Sequence, residues 1–222
     1  MIVSIGNHAS HYIYTPLKSD FMEDTYLTIV RPSEGLYKEK GSKFYAFAFP
    51  VSTKEQVKSI VDEFRKKYHD ARHVCYAYRL NPMNIETRAN DDGEPSGTAG
   101  KPMLGVLVSK DVVNVLMIVV RYFGGTLLGT SGLINAYRTA SQDALEQNEI
   151  VEKKIEVAFT IHFGYMVMND VMKVIKDEGL EVLSQNFDNE CMMQLQVRQR
   201  DYEKVLSKLQ KVEGCSLDDD LA

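Results

Sequence analysis

The run Val112-Val-Asn-Val-Leu-Met-Ile-Val-Val120 leads directly into Arg121-Tyr-Phe-Gly-Gly-Thr-Leu-Leu-Gly-Thr-Ser-Gly132. The first run is almost wholly apolar and rich in β-branched residues, which predicts a central strand buried on both faces. The second is a glycine-rich turn, and apolar residues then recur at helical spacing from Ser131 to Asn148. A strand, a glycine turn and a helix in this order direct backbone N–H groups at the helix N-terminus toward an anion.

A second irregular stretch precedes this one. It reads Asn90-Asp-Asp-Gly-Glu-Pro-Ser-Gly-Thr-Ala-Gly-Lys-Pro-Met-Leu-Gly105. Its glycines and prolines exclude a regular helix or a central strand, and a loop this long inside a compact domain is usually functional or disordered. Eight of the 14 glycines of the chain fall between Gly93 and Gly132. We therefore expect the two glycine-rich loops to meet and form the functional site.

The rest of the first 150 residues shows regular patterns. Ser52 and Glu55 fit a capping box, and the apolar spacing that follows predicts an amphipathic helix over residues 53–69. A short helix is predicted from Pro102 to Leu107. Alternating patterns predict strands at Tyr26–Arg31, Lys43–Phe49 and His73–Leu80.

The composition and the spacing of the predicted helices and strands change beyond Ile150. Strands are predicted at Ile155–Phe163, Leu180–Phe187 and Cys191–Val197, with one helix that stops at Gly179, a second that ends before Gly214, and a short last strand. The order βαββαβ favours a ferredoxin-like domain. The predicted class is α+β, with domains at residues 22–150 and 151–222, an N-terminal extension at residues 1–21, and Met22 as a possible natural start.

Composition excludes several classes of protein. Residues 151–222 hold 9 Lys and Arg against 14 Asp and Glu, which accounts for the whole net charge of −5. A nonspecific nucleic-acid binder normally has a basic face, so any RNA contact would use a local patch. Three widely spaced cysteines argue against a disulfide framework. No apolar run approaches a membrane span and no secretory signal is evident, so we expect a cytoplasmic protein.

The glycine loops match no common nucleotide motif. Around Gly100 and Lys101, prolines occupy positions where a P-loop needs a glycine and a hydroxyl, and the glycines after Arg121 miss the dinucleotide pattern. No cofactor is therefore expected. Arg121 and Ser131 are candidates to hold a phosphate or carboxylate. The alternative is that the glycines only allow the two loops to pack closely.

Asp91, Asp92 and Glu94 are weak candidates for a divalent metal site, because hard cations prefer clustered carboxylates. Alternatively they cap backbone groups or pair with Arg121, Lys101 or Arg79. His73 and Cys75 share a strand face, and a structural role is favoured over zinc binding or nucleophilic catalysis. The aromatic residues around them and in the strand at 43–49 suit base stacking, although core packing explains most of them better.

The two loops taken together resemble the IMPACT family of translation-linked proteins. The matching segments are residues 91–102 and 119–129, supported by Lys40-Gly-Ser-Lys-Phe44 and Ala71-Arg-His-Val-Cys-Tyr-Ala-Tyr-Arg79. The resemblance covers about residues 22–222 and is similar to the two-domain bacterial members. It implies a first domain like domain IV of elongation factor G and the second domain of a small-subunit ribosomal protein, and a second domain like the ferredoxin-like domains of that factor.

The resemblance also implies a link to translational control, and it carries over no catalytic residue. We therefore expect a non-catalytic protein that binds RNA or a ribosome-associated partner. Arg121 and Lys101 would supply positive charge. Amides would come from Gly124, Gly125, Gly129 and Ser131, and Arg79 and His73 would flank the same surface. The alternatives are a metal-assisted hydrolase of a small phosphorylated or carboxylated substrate, and a scaffold whose second domain pairs protomers.

Overall fold

The computed structural model describes residues 24–188 and 191–218. The predicted extension at residues 1–21 and the possible start at Met22 lie outside the described residues. Helices and strands occur throughout the described chain, which confirms the α+β class. The strands are β1 (Thr25–Ile29), β2 (Ser33–Glu39), β3 (Ser42–Pro50), β4 (His73–Leu80), β5 (Glu86–Asn90), β6 (Val115–Tyr122), β7 (Ile150–Lys154), β8 (Glu156–Phe163), β9 (Glu181–Phe187), β10 (Cys191–Arg198) and β11 (Cys215–Leu217). The helices are α1 (Lys54–Lys67), α2 (Gly100–Ser109), α3 (Gly129–Glu146), α4 (Met168–Glu178) and α5 (Tyr202–Leu209).

The larger sheet is antiparallel and has the order β2-β3-β6-β4-β5. Its centre is β6, in which every residue from Val115 to Arg121 is buried. Met117 and Val119 pack with α2 and α3 on one face, and the alternate residues pack with α1 on the other. The prediction of a central strand buried on both faces is confirmed, and the strand places Arg121 at its end between the two helix layers.

Three details near this sheet differ from the sequence predictions. The capping box of α1 uses Thr53 and Gln56, one residue later than the predicted pair of Ser52 and Glu55, because the backbone at Thr53 is the extended N-cap. Helix α2 begins at Gly100, so Pro102 is its third residue; the first helical turn tolerates proline there. Two edge strands, β2 and β5, were not predicted.

The second sheet is also antiparallel, with the order β11-β8-β10-β9. Helices α4 and α5 share a separate core with one face of it, centred on Ile161, Val205 and Met193. The element order βαββαβ agrees with the prediction for this part of the chain. Gly179 adopts the left-handed conformation that ends α4, as predicted.

Strand β7 pairs with β1 in a small sheet of its own. The predicted domain boundary near residue 150 therefore falls where the chain returns to its first described strand. The carboxylate of Asp24 beside β1 pairs with Arg198 at the end of β10. None of the helices in the described residues is both long and apolar enough to cross a membrane.

Candidate functional site

The two glycine-rich loops meet in space. Both line one open cavity of about 630 Å³, which we call the loop cavity. The first loop contributes Gly93, Glu94 and Pro95, and the second contributes Phe123, Leu127 and Leu128. The start of α3 and the end of β6 complete the wall, together with Arg72 and His73 where the chain enters β4. The remaining lining residues are Arg121, Gly129, Thr130 and Leu133.

A buried ion pair forms the floor of the loop cavity. Arg121 Nη1 donates to Glu94 Oε1 at 2.5 Å, and the two side chains are only 6% and 2% exposed. The hydroxyl of Tyr137 donates to the same oxygen at 2.8 Å. The charge of Arg121 is thus already neutralised by Glu94, and this ion pair holds the first loop against the end of β6. This geometry does not favour the prediction that Arg121 supplies positive charge to a bound phosphate.

Aspartates 91 and 92 hold the first loop in shape. The carboxylate of Asp91 accepts the N–H groups of Gly97, Ala99 and Gly100, the last at 2.8 Å. Burial raises the pKa of Asp91, but these amide hydrogen bonds outweigh it and bring the pKa below its ordinary value. Asp92 accepts the N–H of Val74 through one oxygen and the guanidinium of Arg65 through the other.

These contacts account for the three predicted metal candidates. Asp91, Asp92 and Glu94 each bind protein donors, as in the alternative in which they cap backbone groups and pair with Arg121. In residues 24–188 and 191–218, His, Cys, Asp and Glu side chains form no cluster of three or more that suits a metal ion. The geometry therefore favours the structural role of these acids.

His73 and Cys75 connect β4 to the first loop. His73 Nδ1 lies 2.7 Å from the carbonyl oxygen of Asp92. Because a carbonyl only accepts, Nδ1 carries the hydrogen, and Nε2 faces Glu94 Oε1 at 3.8 Å. The thiol of Cys75 donates to the carbonyl of Asp91 at 3.0 Å, and burial raises its pKa. Cys75 is therefore a poor nucleophile.

The glycines of the second loop have different roles. Gly124 lies against Gly41, and its N–H donates to Ser42 Oγ at 3.1 Å. The prediction that Gly124 offers its amide to a ligand is therefore wrong. Gly125 and Gly129 have positive φ values and open space around them. Gly129 opens α3 beside the cavity, where the first N–H groups of a helix remain available.

Three other predicted residues lie apart from the loop cavity. Arg79 is six residues along β4 from His73, about 20 Å away. It is buried, and it donates to the carbonyls of Leu107 and Val112 and to the carboxylate of Asp111, so it secures the end of α2. The prediction that Arg79 flanks the same surface as His73 is therefore wrong.

Lys101 and Ser131 are the other two. Lys101 is exposed and lines a different pocket, between α2 and α3. Ser131 is the third residue of α3 and is exposed outside the cavity lining. Of the eight predicted binding residues, the loop cavity brings together His73, Arg121 and Gly129.

The apolar rim of the cavity escaped the sequence prediction. Leu127 is 82% exposed and Phe123 is 49% exposed. Phe123 directly precedes the glycines and Leu127 lies between them. Neither residue belongs to a periodic pattern, so the sequence does not distinguish exposed rim residues from residues packed inside the loop. Their one signal is the apolar pair Leu127-Leu128 inside a loop rich in glycine and threonine.

The fold and the site together define an α+β protein with a five-stranded, a four-stranded and a two-stranded sheet and an open cavity where two glycine-rich loops meet. Residues 40–145 match the family described as the Impact N-terminal domain. An IMPACT family member from Haemophilus influenzae is 31% identical over 172 residues, which cover 77% of this chain and 84% of that protein. The chain belongs to the IMPACT family.

Two further comparisons extend this result. The IMPACT family member YvyE from Bacillus subtilis is 37% identical over 134 residues, which cover 60% of this chain and 62% of that protein. The match thus spans less than two thirds of that relative. A crystal structure described as a hypothetical protein is 27% identical, with a TM-score of 0.68 over 87% of this chain and 96% of that one. The same arrangement of helices and strands therefore exists in a solved protein.

Proposed function

We propose that this protein is a translation-linked regulator that binds RNA or a ribosome-associated partner at the loop cavity. Membership of the IMPACT family supports the link to translation. The observation that carries the proposal is the convergence of both glycine-rich loops, which hold the family motif, on one open cavity. A cytoplasmic location follows from such a partner.

The cavity has the features of a recognition site. Its floor is fixed by the contact of Glu94 with Arg121 and Tyr137, so little order has to be gained on binding. Its rim exposes Leu127 and Phe123, and exposed apolar groups with a polar surround are typical of interaction sites. The N–H groups at the start of α3 favour an anionic group on the partner.

The contact roles proposed here differ from those expected from the sequence. Arg121 positions the floor, whereas Phe123, Leu127 and the exposed Arg72 contact the partner. Gly129 keeps its expected role, because it lies at the helix start on the cavity wall. This division explains why a buried arginine and an exposed leucine occur within one loop segment.

We also propose the finer fold assignments. The four-stranded sheet places the strands of the βαββαβ unit in the order fourth, first, third, second, and all neighbours are antiparallel. This supports a ferredoxin-like domain. The five-stranded sheet with its three helices would be the domain similar to domain IV of elongation factor G. We place the division between them just after β7, since β7 pairs with β1.

The test is cosedimentation of the full chain with ribosomes from a bacterial lysate at about 100 mM salt, where several phosphate contacts still hold. Leu127→Asp places a charge on the exposed rim, and its effect on folding is expected to be within about 0.5 kcal/mol. Met166→Asp is the matched control, because Met166 is 95% exposed and lies far along the chain.

We expect the wild type and Met166→Asp to cosediment and Leu127→Asp to lose at least tenfold in affinity, about 1.4 kcal/mol. Failure of the wild type to cosediment, or equal binding by both variants, would rule out the loop cavity as the partner site.

A further inference from the structure

A second open groove lies on the α1 side of the five-stranded sheet. Its volume is about 620 Å³, and Tyr45, Tyr68 and Tyr122 line it together with Lys43 and Phe123. We call it the tyrosine groove. None of these aromatic residues was assigned a role in the loop cavity except Phe123, which lines both spaces. The groove and the cavity are therefore adjoining parts of one surface.

The register of the sheet explains why these side chains meet. Lys43 pairs with Tyr122, and Tyr45 pairs with Val120, on neighbouring strands. Side chains alternate along a strand, so Lys43 and Tyr45 both point to the α1 face and Tyr122 stands beside Lys43. Helix α1 covers Phe47 through Phe64, at a ring distance of 4.9 Å. The start of β3 and the end of β6 extend past Phe47, and there helix α1 covers the sheet only in part, so Tyr45 and Tyr122 are partly exposed.

The rings of the groove are held in place while remaining accessible. Tyr45 and Tyr122 meet edge to face, with centroids 6.0 Å apart at 90°. The hydroxyl of Tyr122 donates to Asp70 at 2.9 Å, which fixes the direction of that ring. Tyr45, Tyr68 and Tyr122 are each partly exposed, and Phe123 is more exposed still. Rings fixed in this way can stack on a ligand at little entropic cost.

Positive charges lie among the rings. Lys38 is exposed next to Lys43 on the adjoining strand, and Lys67 Nζ lies 5.2 Å from the centre of the Tyr68 ring. The acidic residues of the groove are Glu34 and Asp70. Lys43 is the lysine of the groove lining, and Lys38 and Lys67 lie beside Lys43 and Tyr68, so three cations surround the rings. The carboxylate of Asp70 already accepts the hydroxyl of Tyr122.

We infer that the tyrosine groove binds single-stranded RNA, with bases stacked on Tyr45, Tyr122 and Phe123 and phosphates held by Lys43 and Lys67. Surfaces that bind single-stranded nucleic acids combine aromatic rings with cations, because every base can stack on a ring and every phosphate linkage carries a negative charge. The core of a protein–protein interface is instead depleted of lysine. This inference rests on the proposed function and selects RNA as the partner.

Binding is measured by fluorescence anisotropy of the full chain with a labelled RNA of about ten nucleotides, within the usual site size of such surfaces. A DNA oligonucleotide of the same sequence shows whether the 2′-hydroxyl matters. Tyr45→Ala and Tyr122→Ala are each expected to weaken RNA binding roughly tenfold. Lys43→Ala should lower, by about 0.7, the steepness with which the logarithm of the binding constant falls against the logarithm of the salt concentration. Tyr165→Ala is the control, because Tyr165 is 54% exposed outside the groove.

A second measurement does not depend on how the variants fold. RNA carrying 4-thiouridine is crosslinked to the wild-type protein, and the modified peptides are identified by mass spectrometry. Crosslinks at Tyr45, Tyr122 or Phe123 support the inference. Crosslinks confined to other parts of the chain, or no RNA binding by the wild type at about 100 mM salt, overturn it.

The two proposals fail in different ways. If Leu127→Asp abolishes cosedimentation with ribosomes while the tyrosine variants bind RNA like the wild type, the groove is wrong and the loop cavity stands. If ribosomes are not bound but the tyrosine variants lose RNA binding, the groove stands and the loop cavity is ruled out as the partner site.

Discussion

Gly124 and Gly41 lie directly against each other, so that a Cβ atom added to Gly124 would come closer than 3.0 Å to the backbone of Gly41 and of Ser42. The contact joins the turn between β2 and β3 to the second glycine-rich loop. Close packing therefore requires a glycine at position 124, although its partner is this turn and not the other glycine-rich loop, whereas Gly125 and Gly129 have open surroundings. One glycine run therefore serves both packing and site geometry.

Gly124→Ala should destabilise the fold, because neither backbone can move away without disturbing a strand end. We expect a loss of about 1–3 kcal/mol in the free energy of unfolding, measured by urea denaturation. Gly105→Ala is the control: Gly105 is exposed inside α2 with open space around it, and alanine there should be neutral or stabilising by up to about 1 kcal/mol. Equal stability of Gly124→Ala and wild type would show that the loop shifts freely.

Thr53→Ala should cost about 1 kcal/mol in unfolding free energy, because Thr53 Oγ1 accepts the N–H of Gln56 at the start of α1. Ser52→Ala removes a neighbouring hydroxyl whose only hydrogen bond in the described chain is to the side chain of Gln56 at 3.3 Å. It should cost less. Thermal denaturation of both variants compares the two positions, and a larger loss for Ser52→Ala would contradict the observed cap.

The capping box illustrates what sequence patterns determine. The chain offers Ser52 with Glu55 and Thr53 with Gln56, and the pattern of hydroxyl and acceptor cannot choose between them. The amphipathic helix itself was predictable, because Val57, Val61 and Phe64 fix which face is buried. The edge strands β2 and β5 were missed since their residues are largely polar and their pairing depends on the neighbouring strands.

The site was predictable only in part. Two loops rich in glycine, with one strand leading into the second, indicated that they meet, and they do. Which partner Glu94 takes is a long-range question that the sequence left open between several basic residues. The position of Arg79 was already implied, because it lies six positions along β4 from His73, at the other end of the strand.

Asp91→Asn should destabilise the protein at neutral pH and change nothing in strong acid. The pKa of Asp91 is lowered in the folded state, despite burial, by the amides of Gly97, Gly100 and Ala99. A lowered pKa contributes stability above the unfolded value of about 3.9 and loses it as pH falls through the folded value. The difference in melting temperature between the variant and wild type should therefore be constant above about pH 5 and shrink below about pH 4.

The control for this prediction is Asp177→Asn, since Asp177 is exposed near the end of α4 and its carboxylate makes no hydrogen bond or ion pair within residues 24–188 and 191–218. It should show a small difference at every pH. A difference for Asp91→Asn that persists unchanged at low pH would mean that the carboxylate charge does not hold the first loop.

The pair of Glu94 and Arg121 should show strong coupling. Arg121→Met leaves a buried carboxylate without its cation and should cost about 3–5 kcal/mol in unfolding free energy. Glu94→Gln leaves a buried guanidinium without its anion, although it keeps an acceptor for the hydroxyl of Tyr137. The double variant removes both charges, so its loss should be smaller than the sum of the single losses by about 1–3 kcal/mol.

Lys54 and Glu86 provide the matched cycle, because their side chains are 60% and 43% exposed. Their coupling should stay below about 1 kcal/mol, as is usual for surface pairs in water. Urea denaturation of all variants at one salt concentration gives both couplings. Equal coupling in the two cycles would mean that water reaches Arg121 freely, and the loop cavity would then lack the rigid floor on which partner binding depends.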